Sequence, residues 1–90
     1  MQRKQLTDLK AFAKAVGLVL KAEKQHGGST DYVLCDGKGE PLVTEFHSED
    51  IVESITVYAG SHPAFKAALE VYSSADFARA FTPNKHGELA

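Results

Sequence analysis

The chain has 90 residues, of which 43% are hydrophobic, and its formal net charge is −2. A chain of this length buries roughly 60–65% of its unfolded surface, which predicts one small domain over residues 1–90 and excludes a deep, enclosed active site. Its one cysteine excludes an internal disulfide, and no apolar run approaches the roughly 18 residues that span a bilayer. With no signal-peptide pattern either, we expect a cytoplasmic protein that does not contact membranes.

The charge is distributed unevenly along the sequence. Residues 1–26 contain six bases and two acids, a net of +4, whereas residues 31–53 contain seven acids and one base, a net of −6. Polarised charge of this kind is informative about binding partners and not about the fold.

The first predicted element is a long helix from Gln5 to about Gln25, which Gly27 and Gly28 end. Its apolar face repeats at intervals of three and four residues and consists of Leu9, Phe12, Val16, Val19 and Leu20. At about 100° per residue, a separate narrow sector of the same helix is basic. This basic sector consists of Arg3, Lys10, Lys14 and Lys21.

A β-hairpin is predicted next, from the segments 31–35 and 42–46 on either side of the sequence CDGKGE. Asp36 suits the first position of a type I turn, and Gly39 suits the left-handed position of a three-residue loop with a bulge. The predicted pairs are Leu34 with Leu42, Val33 with Val43, Tyr32 with Thr44 and Asp31 with Glu45. One face of this sheet, with Val33, Val43 and Cys35, then needs cover from the C-terminal helices or from a second copy of the chain.

Helices are predicted for the remainder. Ser48 is the expected cap of the first, with Glu49 and Asp50 in its first turn, although the β-branched run in 51–59 leaves a third strand as an alternative. Pro63 opens the next helix, Ser73-Ser74 ends it, and a short last helix carries Phe77 and Phe81. The ordered core covers about 5–82, and the tail 83–90 is expected to be flexible. The fold class is α+β: an N-terminal helix, an antiparallel hairpin, and two or three C-terminal helices packed on a small sheet.

The sequence matches none of the common chemical motifs. If CDGKGE were a calcium loop, with Gly39 at its sixth position, Leu34 would be the first ligand and the cation Lys38 the fifth. The spacing of a phosphate-binding loop is absent, and the four histidines and Cys35 do not show zinc spacing. Cys35 lies among apolar residues, which favours packing over reactivity. We therefore predict a non-enzymatic protein with no metal and no cofactor.

Charged surfaces remain as the candidate functional features. The main hypothesis is a binding protein that docks on a protein partner through an acidic patch. The patch consists of Asp31, Asp36, Glu40, Glu45, Glu49, Asp50 and Glu53. By analogy of size and charge alone, it resembles an accessory or inhibitor protein of a phage or mobile element. The alternative is a nucleic-acid-binding regulator that uses Arg3, Lys10, Lys14 and Lys21. A third option is a homodimer or other small homo-oligomer with an enzyme cleft at its interface.

Overall fold

Three helices and one three-stranded antiparallel sheet make up the computed structural model, which describes the backbone of residues 3–81 and the side chains of residues 3–75. In chain order the elements are α1 (Arg3–Ala15), β1 (Val19–Lys24), β2 (Thr30–Cys35), β3 (Pro41–Glu45), α2 (Ser48–Ala59) and α3 (Phe65–Phe81). The predicted α+β class is confirmed. The tail 83–90 lies outside the described residues.

The first helix ends ten residues earlier than predicted, at Ala15 instead of about Gln25, and the chain continues as β1. Gly17 has a left-handed backbone, with φ +82°. Its N–H donates to the carbonyl of Lys14 at 3.1 Å, and the N–H of Leu18 donates to that of Ala13 at 2.9 Å. This pair of bonds is the Schellman motif that ends helices at a glycine. The prediction of helix over residues 18–25 is therefore wrong, and the sheet gains a strand.

The strands form a meander in the order β1-β2-β3. Gly27 and Gly28, predicted to end the helix, lie instead in the turn between β1 and β2, where the N–H of Gln25 donates to the carbonyl of Ser29 at 2.8 Å. Register between these strands pairs Leu20 with Leu34. A third strand also makes the sheet more stable than the lone hairpin that was predicted.

The turn between β2 and β3 is formed as predicted. Gly39 is left-handed at φ +89°, and its N–H donates to the carbonyl of Asp36 at 3.0 Å. The register is shifted by one residue, however: Leu34 pairs with Val43, and an irregularity follows before Cys35 pairs with Pro41.

The one-residue shift also changes the strand faces, because successive side chains of a strand point to opposite sides. Val43 packs against the helix-covered core, not on the other face. Tyr32 is now opposite Glu45. Asp31, predicted to face Glu45, has Glu23 of β1 as its register partner.

Residues 51–59 are helical, which decides between the two alternatives for this segment. The stripe of Ile51, Ile55 and Ala59 is buried, as helical spacing requires. Ser48 is not the cap: His47 takes that position with an extended backbone, and its side chain makes no capping hydrogen bond. Glu49 does lie in the first turn, together with Asp50.

The last helix, α3, runs without a break through Ser73-Ser74, so the predicted interruption there is wrong. Ala68 and Tyr72 are buried on its inner face. The Tyr72 ring stacks on Phe12 of α1 with centroids 5.5 Å apart and an interplanar angle of 17°. This packing holds the helix together across two exposed serines, whose intrinsic preference against helix is small.

One hydrophobic core joins the helices to a single face of the sheet. Its fully buried members include Leu9 of α1, Leu34 of β2, and Ile51 and Ile55 of α2. Helix α1 packs on β1 and α2 packs on β2 and β3, whereas α3 packs on α1. The arrangement leaves the outer side of α2 and the strand β3 at one margin of the molecule.

Candidate functional site

A groove of about 320 Å³ lies between β3 and α2 and collects three of the seven predicted acidic residues. Glu45 comes from the end of β3, and Asp50 and Glu53 come from α2. The remaining lining residues are Val43, Ser54, Val57 and Tyr58. We refer to this site as the acidic groove.

The acids converge because α2 folds back along β3. Ser54, two turns into the helix, donates a hydrogen bond to Oε1 of Glu45 at 3.1 Å. One turn further on, the Tyr58 hydroxyl contacts the carbonyl of Leu42 at 3.5 Å, near the start of β3. At about 100° per residue, the lining residues of α2 share one side of the helix, next to the buried stripe of Ile51 and Ile55. The chain therefore builds this groove from an amphipathic helix and the last strand of the sheet.

Apolar side chains are exposed at the acidic groove. Val57 is 74% exposed and Tyr58 is 49% exposed. Phe46, which directly follows Glu45 but does not line the groove, is 63% exposed. Exposed apolar side chains among charged ones are typical of protein-binding surfaces, where an apolar centre is surrounded by a polar rim.

Four of the predicted acidic residues lie elsewhere. Asp31 faces Glu23 across the sheet. Asp36 has a structural role, because its Oδ1 accepts hydrogen bonds from the backbone N–H groups of Lys38 at 2.8 Å and Glu40 at 3.0 Å.

Glu40 is exposed at the end of the turn, and Glu49 lines a separate groove with Gln5, Ser48, Val52 and Tyr72. The linear acidic segment is thus divided in three dimensions, and Glu45, Asp50 and Glu53 are the acids that line the acidic groove.

The basic residues of the alternative hypothesis are also separated. Arg3, Lys10 and Lys14 are exposed on α1, and their spacing of seven and four residues places them along one side of that helix. Lys21, predicted to share this side, belongs to β1 and has Val33 as its register partner. The basic face of α1 therefore has three of the four predicted members.

A second groove, of about 290 Å³, runs between α1 and α3 and is mostly lined by alanines. Phe12 and Val71 contribute larger apolar groups, and Asp8 and Tyr72 are its polar members among the described lining residues. Val71 is 71% exposed. The mostly apolar lining of this second groove fits apolar groups in general and does not indicate a particular ligand.

Cys35 is 1% exposed, and its thiol lies 3.9 Å from the carbonyl of Val33, as expected of a packed cysteine. Within residues 3–75, no group of three or more histidine, cysteine, aspartate or glutamate side chains is arranged to hold a metal ion. No described helix is long and apolar enough to cross a membrane.

Comparison with models of known protein families, with curated proteins and with solved structures gives no significant match.

The sequence hypothesis did not include Ser54, Val57 or Tyr58 in the site. These residues follow Asp50 by four, seven and eight positions, the spacing of one helix side. Once 51–59 is assigned to a helix, that spacing is the signal that identifies them.

Proposed function

We propose that this protein is a small non-enzymatic binding protein that docks on a basic segment of a protein partner through the acidic groove. The main observation that supports this proposal is that Glu45, Asp50 and Glu53 converge around the exposed Val57 and Tyr58. Opposite charges steer a basic partner and fix its orientation, while burial of the apolar and aromatic side chains supplies much of the affinity.

A partner surface with this complementary chemistry would be basic, with apolar groups between its charges. Surfaces that hold nucleic acid have the required charge, since they neutralise phosphates with lysine and arginine. By occupying such a surface, the protein would act as an accessory or inhibitor protein, a role proposed by analogy of size and charge with proteins of phages and mobile elements.

The proposal is tested with two variants that remove the same number of charges. The groove variant carries Glu45→Gln, Asp50→Asn and Glu53→Gln. The matched variant carries Asp31→Asn, Glu49→Gln and Glu70→Gln, all outside the acidic groove. Glutamine at position 45 retains an oxygen that can accept the Ser54 hydrogen bond.

Each tagged protein is used to capture partners from cells of its source at low salt, with nuclease added to a parallel sample. We expect wild type and the matched variant to capture the same proteins with or without nuclease, and the groove variant to lose them. Capture that survives in the groove variant would refute the proposal. As a control, circular dichroism and thermal unfolding are used to check that both variants are folded.

The second candidate is nucleic-acid binding through Arg3, Lys10 and Lys14, and their common side of α1 favours it. It predicts affinity for DNA or RNA that falls steeply with salt, because each neutralised phosphate releases a counterion. Partners lost from the nuclease-treated sample would favour this candidate over the acidic groove.

A further inference from the structure

Strand β3 has an open edge beside the acidic groove. In the sheet order β1-β2-β3, β2 pairs with β3 on one side, and no described strand lies on the other. Alternate N–H and C=O groups along such an edge have no strand partner, which makes the edge a template for another extended chain. The Tyr58 hydroxyl, 3.5 Å from the Leu42 carbonyl, contacts the strand backbone from the groove.

The two edges of the sheet differ in how well they are protected. Edge strand β1 contains Lys21, Glu23 and Lys24 among its six residues. Charged side chains, lysines especially, are a common protection of edges against pairing. Edge strand β3 has the sequence PLVTE, whose one charge is Glu45 and whose proline stands at the first position. Proline there removes one N–H but leaves the rest of the strand able to pair.

We propose that the edge of β3 accepts an extended basic segment of the partner as a fourth strand. The inference rests on the proposed function and specifies the conformation of the partner segment. Side chains of an added strand alternate between the two faces of the sheet, so every second residue would face α2. Those residues would meet Glu45, Asp50 and Glu53 together with Val57 and Tyr58.

The partner segment therefore has a recognisable pattern. Lysine or arginine recurs at alternate positions, about 7 Å apart, so that their charges meet the acids and their alkyl stems meet Val57 and Tyr58. The residues between them face the other side of the sheet and are β-branched, which favours a strand. Backbone hydrogen bonds to β3 supply affinity, and the alternate side chains supply specificity, as in other cases of strand addition.

Charge disfavours a second copy of this chain as the occupant through its own β3. Antiparallel pairing of two β3 edges would bring both sets of Glu40 and Glu45 together, and like charges across strands are destabilising. Strand β1 of a second copy has lysines, but a β1-to-β3 contact is head-to-tail and generates rings or open filaments instead of a simple dimer. An isolated basic segment meets neither obstacle.

The probe is a short synthetic peptide in which lysine alternates with valine or threonine. Two further versions carry backbone N-methyl groups at either the odd or the even positions, so their charge and side chains are unchanged. An added strand directs alternate N–H groups towards β3, and N-methylation of that set removes the donors. Affinities are measured by fluorescence anisotropy with wild type, the groove variant and the matched variant.

We expect the unmethylated peptide to bind wild type and the matched variant alike. The version that is N-methylated at the positions facing β3 should bind wild type about tenfold or more weakly than the unmethylated peptide, because it loses about two hydrogen bonds. The other N-methylated version should bind as the unmethylated peptide does. Amide hydrogen exchange in 42–45 slows when the peptide is bound. The groove variant binds the unmethylated peptide about tenfold more weakly than the matched variant does.

Equal affinity of the two N-methylated versions, with weaker binding by the groove variant, would overturn strand addition and leave the docking function standing. Binding that is the same in the groove and matched variants would overturn both proposals for a basic extended segment. The mass of the protein in solution is also measured by light scattering. If the mass increases with protein concentration and the peptide reverses that increase, a second copy is the occupant and the inference is overturned.

Discussion

Replacement of Gly17 by alanine distinguishes the observed helix end from the longer helix that the sequence pattern favours. The φ of +82° places this residue in the left-handed region, where an L-alanine costs about 1–2 kcal/mol. Reduced freedom of the unfolded chain offsets about 0.4–1 kcal/mol of that cost. An added Cβ would meet only ring atoms of His62, at 3.9 Å, which is an ordinary contact and adds no clash. The net expectation is a loss of about 1 kcal/mol in the free energy of unfolding.

A continuous helix predicts the opposite sign, because glycine inside a helix is about 1 kcal/mol less favourable than alanine. Urea unfolding followed by circular dichroism measures the difference, with a matching fall in Tm of about 4–8 °C for a domain of this size. Gly17→Asn is the control: asparagine tolerates the left-handed region better than alanine, so we expect it to destabilise less. If Gly17→Ala stabilises the protein, or if asparagine costs more than alanine, the described helix end is wrong.

Two further substitutions test the core and the hairpin turn by the same unfolding assay. Ile55 is 0% exposed, so Ile55→Ala should lower the free energy of unfolding by about 2–5 kcal/mol. Val57 is 74% exposed, so Val57→Ala should change it by no more than about 0.5 kcal/mol. Similar costs for the two variants would contradict the orientation of α2. Asp36→Ala removes the acceptor for the N–H groups of Lys38 and Glu40 and should cost about 1 kcal/mol, whereas Asp36→Asn keeps an acceptor oxygen and should be nearly neutral. An equal cost for both Asp36 variants would show that charge, not the turn, determines the effect.

Local backbone chemistry made parts of the fold predictable. Asp36 and Gly39 are required by the geometry of one turn type, and that turn is observed. Ile51 and Ile55 have helical spacing, but the β-branched residues around them fit a strand equally well. The intrinsic helix and strand propensities of these residues do not determine which structure forms. The helix forms because it packs this stripe into the core.

The end of helix α1 was missed because two periodicities overlap there. Val16, Val19 and Leu20 continue a helical face at intervals of three and four, while Leu18 and Leu20 also alternate as in a strand. Gly17 was the available signal, since a glycine within an apolar run also suits a left-handed helix end. The bulge that shifts the β3 register depends on how the strand packs, which a pairing rule for the turn alone does not include.

The candidate site was predictable in its composition but not in its arrangement. Glu45, Asp50 and Glu53 belong to the acidic segment that the sequence shows, yet Glu49, adjacent to Asp50, lines a different groove. One residue along a helix is a rotation of about 100°, which is enough to separate neighbouring charges onto different surfaces. The path of α2 back along β3 is a tertiary feature, and it selects the acids that act together.

The acidic groove is tested most directly by the affinities of a captured partner for the groove variant and the matched variant, measured side by side at one salt concentration. Both variants have lost three negative charges, so any general effect of net charge is the same in both. The proposed function predicts that the groove variant binds at least about tenfold more weakly than wild type, while the matched variant binds as wild type does. Equal affinities of the two variants would contradict it.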